Sequence, residues 1–379
     1  MLKKLQNVIT KYKLANLNFR LIVYVLAITF LGIFTIGSAT EGENYQFKQI
    51  VGFALGLIVL ITFTLMSYHL IFKLYWIIYG ATIALLLSVM VLGTVSKGAK
   101  RWINLGFTRF QPSEVAKIFL IIFIASYLFK RRETLNSFKT LASVTLFSMI
   151  PIFLVFREPD LSTTIVIFIT FCAIMFLSGV HYKIVTGVLI ISIPILCVFG
   201  YFLVQPDSGI LEEYQYNRIV GFFQKDNEAA ASIRYQQENS LLAIGSGGLT
   251  GKGLDNSTVT SVKNGNFLSE SHTDFIFTIV GEELGFVGGA SVIILLFLII
   301  LECFITGSRA STMSGRLFCY GFGVLIAMQS FVNISVATML LPNTGVTLPF
   351  VSYGLTSLIS LYLGVGIVLN IGLQRNRAF

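Results

Sequence analysis

Charge is scarce in this chain: 12% of its 379 residues are Asp, Glu, Lys or Arg, whereas 55% are hydrophobic and mean hydropathy reaches +0.81. A soluble domain of that size has no way to hide so much apolar surface. Cysteine is scarcer still. Cys172, Cys197, Cys303 and Cys319 all fall in apolar runs, so they read as small hydrophobes and imply neither a disulfide framework nor a metal cluster. No internal repeat of fixed period is visible, which disfavours the repeat-built transporters. The glycine run at 245–253 has neither Walker spacing nor an ordered GxGxxG unit, so a nucleotide loop is not expected. No spacing of His, Cys and carboxylates supports a zinc site.

Long apolar runs are what the chain does have. Several approach or exceed the ~20 residues needed to cross a bilayer core of about 30 Å. Lipid-exposed backbone must satisfy its own hydrogen bonds, so the fold class expected is an all-α polytopic bundle in one membrane domain, residues 1–379. Spans are expected near 21–39, 48–66, 75–95, 114–130, 140–157, 162–179, 183–204, 274–305, 317–341 and 350–371. Ten spans put both termini on one side, and the run at 274–305 is long enough to tilt, kink or project. The basic start followed by an apolar run ending at Gly37-Ser38-Ala39 imitates a signal peptide. That run, about 19 residues, exceeds the usual 7–15-residue signal core, and we read it as a retained helix.

Orientation follows from the basic residues. With the N-terminus inside, the inner segments hold 15 of the 27 Lys and Arg but only Glu133 and Glu302 of the 18 acids, a net of +13 inside and −4 outside. Lys and Arg in short inner loops set topology, and the long segment 205–273 becomes one large extracytoplasmic loop. The basic balance therefore reflects membrane orientation and carries no nucleic-acid signal.

The unusual polar clusters then fall on the outer side. KGAKRWINLGFTRFQPSEVAK, residues 97–117, carries Lys100, Arg101 and Trp102, then a helix start with Pro112 in its first turn. Glu114 and Lys117 are three apart and share a face, so they are expected to pair. Lys117 lies within a span and needs such a partner. In Arg157-Glu158-Pro159-Asp160, Asp160 either caps the next helix or belongs with the charges around it. The 205–273 segment contains Tyr216-Asn217-Arg218 and a stretch, LLAIGSGG, that suggests a short amphipathic helix at the interface ending in glycines. At 268–288, LSESHTDFIFTIVGEELGFVG, the residues Glu270, His272 and Asp274 open a long apolar run that also carries Glu282 and Glu283. On an ideal helix Glu282 lies near the Asp274 face and Glu283 points nearly opposite; Asp274 is also open to a plain capping role. Finally, two prolines and two glycines in LPNTGVTLPFVSYG, residues 341–354, indicate either a re-entrant segment lining protein or a tight outer hairpin.

Together KRWINLG, QPSEVAK, EPDLSTT, AIGSGGLTGKG, ESHTDFIFTIVGEELG and LPNTGVTLPFVSYG resemble the SEDS family, the shape, elongation, division and sporulation proteins. The likeness runs from about residue 20 to 372, in order and on one face. It implies a ten-helix peptidoglycan glycosyltransferase that polymerises lipid II at the outer face of the cytoplasmic membrane with a class B penicillin-binding protein, within the elongation or division machinery. It puts the family's essential acid on Asp274, its basic-aromatic pair on Arg101 and Trp102, and its charged pair on Glu114 and Lys117. The substrate-binding set expected alongside these is Lys100, Glu158, Asp160, Arg218, Glu270, His272 and Glu282. Two departures stand out: the family's usual QPDLGT is EPDLST here, and its usual SYGGS is SYGLT, with Leu355 in place of a glycine. The short C-terminal tail and compact N-terminus resemble the elongation branch.

The chemistry suits these residue types. An anionic pyrophosphate leaving group needs cations where charge develops, a role for Lys100, Arg101 or Lys117. The acceptor hydroxyl needs a base, for which Asp274 is the candidate. An α-linked donor giving a β-linked product requires one inverting displacement and no covalent intermediate. No cofactor is called for, and a divalent cation is left open. A lipid-linked precursor flippase using Glu114, Lys117 and Glu282 is the alternative, and an inactive assembly scaffold a third reading. Charges gathered at the outer edge, with few in the inner half, favour outer-face chemistry over a transmembrane path.

Overall fold

The computed structural model describes residues 16–40, 44–96, 99–104, 106, 109–184, 186–187, 190, 216, 218–219, 222–223, 231–254, 268 and 271–374. Helices dominate. In chain order they are α1 (Phe19–Ala39), α2 (Tyr45–Leu65), α3 (Tyr68–Lys73), α4 (Tyr75–Leu92), α5 (Pro112–Lys130), α6 (Phe138–Arg157), α7 (Leu161–Leu177), α8 (Ala231–Ser246), α9 (Ile276–Glu283), α10 (Gly285–Ser308), α11 (Met313–Ala337) and α12 (Leu355–Leu373). Eight of them, α1, α2, α4, α5, α6, α10, α11 and α12, are long and apolar enough to cross a membrane, and α7 is a shorter apolar helix. The protein is a multi-pass membrane protein. The span expected at 183–204 falls mostly outside the described residues.

Burial sorts the helices. α5 and α12 are enclosed along nearly their whole length, and α12 packs on α2, where Gly52 and Gly56 let Leu355 and Tyr362 approach the helix backbone. α2, α4 and α10 instead present large apolar side chains outward, among them Phe47, Ile77, Val91 and Phe297. Such side chains are at home against lipid, where association rests on packing and small residues. Near the C-terminal end of α10 the buried Glu302 is held by Arg20 at 3.0 Å and by Asn18 Nδ2 at 2.8 Å, so its charge is paired.

Two features depart from expectation, and a third decides between two readings. Residues 94–110 form a small antiparallel sheet, β1 (Thr94–Ser96), β2 (Ala99–Asn104) and β3 (Arg109–Phe110), in the order β1-β2-β3. Trp102 lies opposite Thr94 and Asn104 opposite Arg109. The run expected as one span at 274–305 is broken: α9 ends at Glu283, Leu284 leaves the helix, and α10 restarts at Gly285 with φ +65°. Of the two readings of 341–354, the structure has the re-entrant one. Residues 342–348 carry no regular structure, yet Val346, Leu348, Phe350 and Val351 are buried.

Candidate active site

The site is built from helix beginnings. Gln111 precedes α5, and its backbone N–H donates to Thr356 Oγ1 in the first turn of α12 at 3.3 Å, while its Nε2 donates to Asp160 Oδ2 at 3.4 Å. Asp160 in turn caps α7, with Oδ1 accepting from Thr163 N at 3.1 Å. Thus the N-terminal ends of α5, α7 and α12 are tied at one place. The start of α9 joins them through the re-entrant segment: Ser162 donates to the Thr344 carbonyl on one side, and Tyr353 N to the His272 carbonyl at 2.9 Å on the other. Four helix N-termini, each carrying a partial positive charge, therefore meet around residues 343–354.

Fixed charges fill in the same region. Glu114 and Lys117 are both buried and pair at 2.8 Å, as their spacing predicts. Arg101 reaches from β2 to the α6–α7 turn, donating to the Pro159 carbonyl and lying 3.8 Å from Asp160 Oδ1. Asp160 is thus both a cap and a member of the charged cluster. Beside it Glu158 is only 2% exposed, and neither carboxyl oxygen has a hydrogen-bond partner among the described residues. Burial, and then the neighbouring Asp160 carboxylate, push its pKa from 4.5 up to about 8, with Arg101 opposing. Lys100 turns away, its Nζ donating to the Met90 carbonyl near the end of α4 at 2.6 Å. Trp102 remains in the sheet, half-buried.

Asp274 stands at the mouth of α9. The capping position belongs to Phe275, whose side chain makes no capping hydrogen bond, and Asp274 lies one residue ahead of it. Its carboxylate and the Arg218 guanidinium converge on Gly345. A methyl group there would lie 2.9 Å from Arg218 Nη1 and 3.3 Å from Asp274 Oδ2, and Gly345 has φ +77°. Only glycine meets both demands without strain. His272 stacks on Tyr45 with ring centroids 4.4 Å apart, and Tyr353 closes the same aromatic group. Glu282 and Glu283 diverge as their helix positions require: Glu282 pairs with Lys252 at 2.7 Å, while Glu283 accepts from Ser38 of α1 at 2.6 Å. Glu270 lies outside the described residues. Among those residues no group of three or more His, Cys, Asp or Glu is arranged to hold a metal ion.

Residues 14–377 match the family described as cell cycle protein, that of FtsW, RodA and SpoVE. The chain belongs to this family. Among its relatives, the peptidoglycan glycosyltransferase MrdB of Escherichia coli K12 is 32% identical over 94% of this chain and 93% of its own length. The probable peptidoglycan glycosyltransferase FtsW of Haemophilus influenzae is 38% identical over 80% and 74%. The crystal structure of the rod shape determining protein RodA of Thermus thermophilus superimposes with a TM-score of 0.70, at 29% identity, covering 95% of this chain and 98% of that one. A chain from a peptidoglycan synthase complex that coordinates polymerization and crosslinking matches with a TM-score of 0.79, at 28% identity over 96% and 100%. The SEDS membership expected from the motifs therefore stands, and so does the helical membrane fold.

Two features that position this family's motifs here were not evident from residue spacing. One is Lys252 as the partner of Glu282; an acid inside an apolar run signals that a partner exists, not which one. The other is Asn333 of α11, buried in an apolar helix, whose Nδ2 donates to the Asp274 carbonyl at 2.9 Å and the Val346 carbonyl at 2.7 Å.

Proposed function

We propose that this protein is a peptidoglycan glycosyltransferase that polymerises lipid II into glycan strands at the outer face of the cytoplasmic membrane, in cell elongation and shape or in division. The single observation that carries the reading is the meeting of four helix N-termini around the 343–354 segment, with Arg101, Lys117 and Arg218 nearby and the Asp274 carboxylate beside Gly345. Helix N-termini with cations suit an anionic pyrophosphate. They act most strongly as the leaving group gains charge in a dry, preorganised setting.

In the reaction the acceptor sugar hydroxyl attacks the anomeric carbon of the donor. Its oxygen forms the new glycosidic bond, the bond from carbon to pyrophosphate oxygen breaks, and the polyprenyl pyrophosphate leaves with the electron pair. The hydroxyl proton passes to Asp274. Inversion at one centre needs one base and no covalent intermediate, and Lys117 and Arg101 stabilise the departing charge. The outward-facing apolar helices suit the polyprenyl chains. A class B penicillin-binding protein is the partner that would crosslink the emerging strand, in keeping with the synthase complex this chain resembles.

The deciding experiment is Asp274→Asn, assayed with purified lipid II and the cognate transpeptidase. Asparagine keeps the size and can serve a helix start as well as aspartate does, so insertion and partner binding should be unchanged. General-base catalysis contributes ~10²–10⁴-fold, and polymerisation should fall by that order. Near wild-type glycan synthesis would sink the assignment of the base.

A further inference from the structure

The carbonyls of three successive residues, His272, Thr273 and Asp274, each accept a hydrogen bond from outside their own segment. Tyr353 N donates to His272 at 2.9 Å, Ser352 Oγ to Thr273 at 2.7 Å, and Asn333 Nδ2 to Asp274 at 2.9 Å. Ser352 is itself held, accepting from Leu348 N at 2.7 Å. Asn333 does more than close the row. Its second donor goes to Val346, the residue after Gly345, at 2.7 Å. Both acceptors are carbonyl oxygens, so the amide nitrogen must face them, while Asn333 Oδ1 is buried without a hydrogen-bond partner among the described residues. A buried amide with one half unsatisfied is a cost, and here the gain is on the NH₂ side.

From this geometry we infer that Asn333, seconded by Ser352, is a positioning residue for the reaction: its amide fixes the spacing between the backbone that carries Asp274 and the Gly345–Val346 backbone against which the Asp274 carboxylate and Arg218 rest. The inference rests on the assignment of Asp274 as base. The amide touches no reacting atom and acts only through where it holds Asp274. Losing it frees the segment that presents the carboxylate, and a displacement of about 1 Å at a reacting group can cost ~10²-fold in rate. Groups that bind the lipid-linked pyrophosphate, such as Arg101 and Lys117, lie on other elements and keep their places. Turnover should therefore fall while apparent affinity for lipid II holds.

The test is steady-state polymerisation of lipid II by the purified protein in complex with its transpeptidase, comparing Asn333→Leu, which keeps the branched shape without the amide, with Asn333→Gln, which restores the amide one methylene further out. We expect Asn333→Leu to lose roughly 10–100-fold in kcat with KM within about two-fold of wild type, and Asn333→Gln to recover part of the loss. Ser352→Ala and Ser352→Thr repeat the comparison at the next carbonyl and decide the matter should Asn333→Leu not accumulate. Wild-type kcat in Asn333→Leu and Ser352→Ala overturns the proposal, as does a loss confined to KM or a loss that restoring the amide or hydroxyl does not lessen. If Asp274→Asn is inactive and these variants are normal, only the positioning role falls. If Asp274→Asn is itself active, the base assignment falls and takes this proposal with it.

Discussion

Burial without a hydrogen bond decides the state of Glu158. Its pKa of about 8 leaves it mostly protonated at neutral pH, and a protonated carboxyl has the shape and neutrality of the glutamine that the family motif usually carries at this position. The departure from QPDLGT is thus small in physical terms. Because the folded pKa is raised above 4.5, the stabilising contribution is complete below pH 4.5 and is lost as pH rises through about 8. Thermal unfolding in detergent between pH 5 and 9 should show wild type losing stability across that window, whereas Glu158→Gln loses less and polymerises normally at pH 7; parallel pH profiles for the two proteins would refute this. Residues with a charge in an apolar setting, such as Glu114, Lys117 and Asp274, were legible in the sequence because charge there demands an explanation. Tyr45 and Asn333 were not, since an aromatic ring or a single amide in an apolar helix has many uses and its contacts come from segments tens to hundreds of positions away.

At the scale of elements, the glycine run resolves into a clamp on the broken helix. α8 turns its polar face inward, with Gln237 donating to the Val336 and Leu341 carbonyls and Ser240 to Ala337, and it leaves Leu241 and Leu242 exposed. A short amphipathic helix was expected from LLAIGSGG; in the structure Ala243 and Ile244 of that stretch pack inward while Leu241 and Leu242 face out. The glycines after it lie backbone-on-backbone against the α9–α10 break: Lys252 N and Gly253 N donate to the Glu282 and Glu283 carbonyls at 3.0 and 2.9 Å, and Phe286 N to Gly248 at 2.9 Å. Carbonyls freed where a helix breaks need such donors. Gly251 has φ +78°, and a methyl group there would sit 2.1 Å from the Glu283 carbonyl oxygen. Gly251→Ala should therefore part the loop from the break, lower the thermal midpoint by several degrees as expected for ~1–3 kcal/mol of backbone strain, and reduce polymerisation. A variant with unchanged midpoint and rate would show that the clamp does not matter. The break was hidden in the sequence because hydropathy continues through it, and the small sheet was hidden because strands of two to six residues leave too short a period to read.

For the whole molecule, the bundle and the grouping of its polar motifs were legible because both arise from patterns spread along the chain. Apolar runs locate the helices, and motifs at alternate connections must share a side. α5, α7, α9 and α12 all begin at the site and run away from it, so the residues proposed for the chemistry are gathered at one end of the helices. Which side that end faces is a matter of charge. Arg20, Lys73, Lys130, Arg131, Arg132, Arg309 and Arg316 cluster at the other ends of the helices, and positive residues in short loops stay on the cytoplasmic side. Cys303 and Cys319 are buried but Cys172 is exposed, so single introduced cysteines report sidedness in a background whose native cysteines are replaced by alanine. Asn104→Cys, at the exposed end of β2 beside the site, should be labelled by an impermeant maleimide on intact cells with the outer face accessible. Ser308→Cys, exposed at the far end of α10, should be labelled only after permeabilisation. The reverse pattern would place Asp274 in the cytoplasm, where an acceptor presented on the outer face could not reach it, and would leave the flippase reading as the one that fits the membrane orientation.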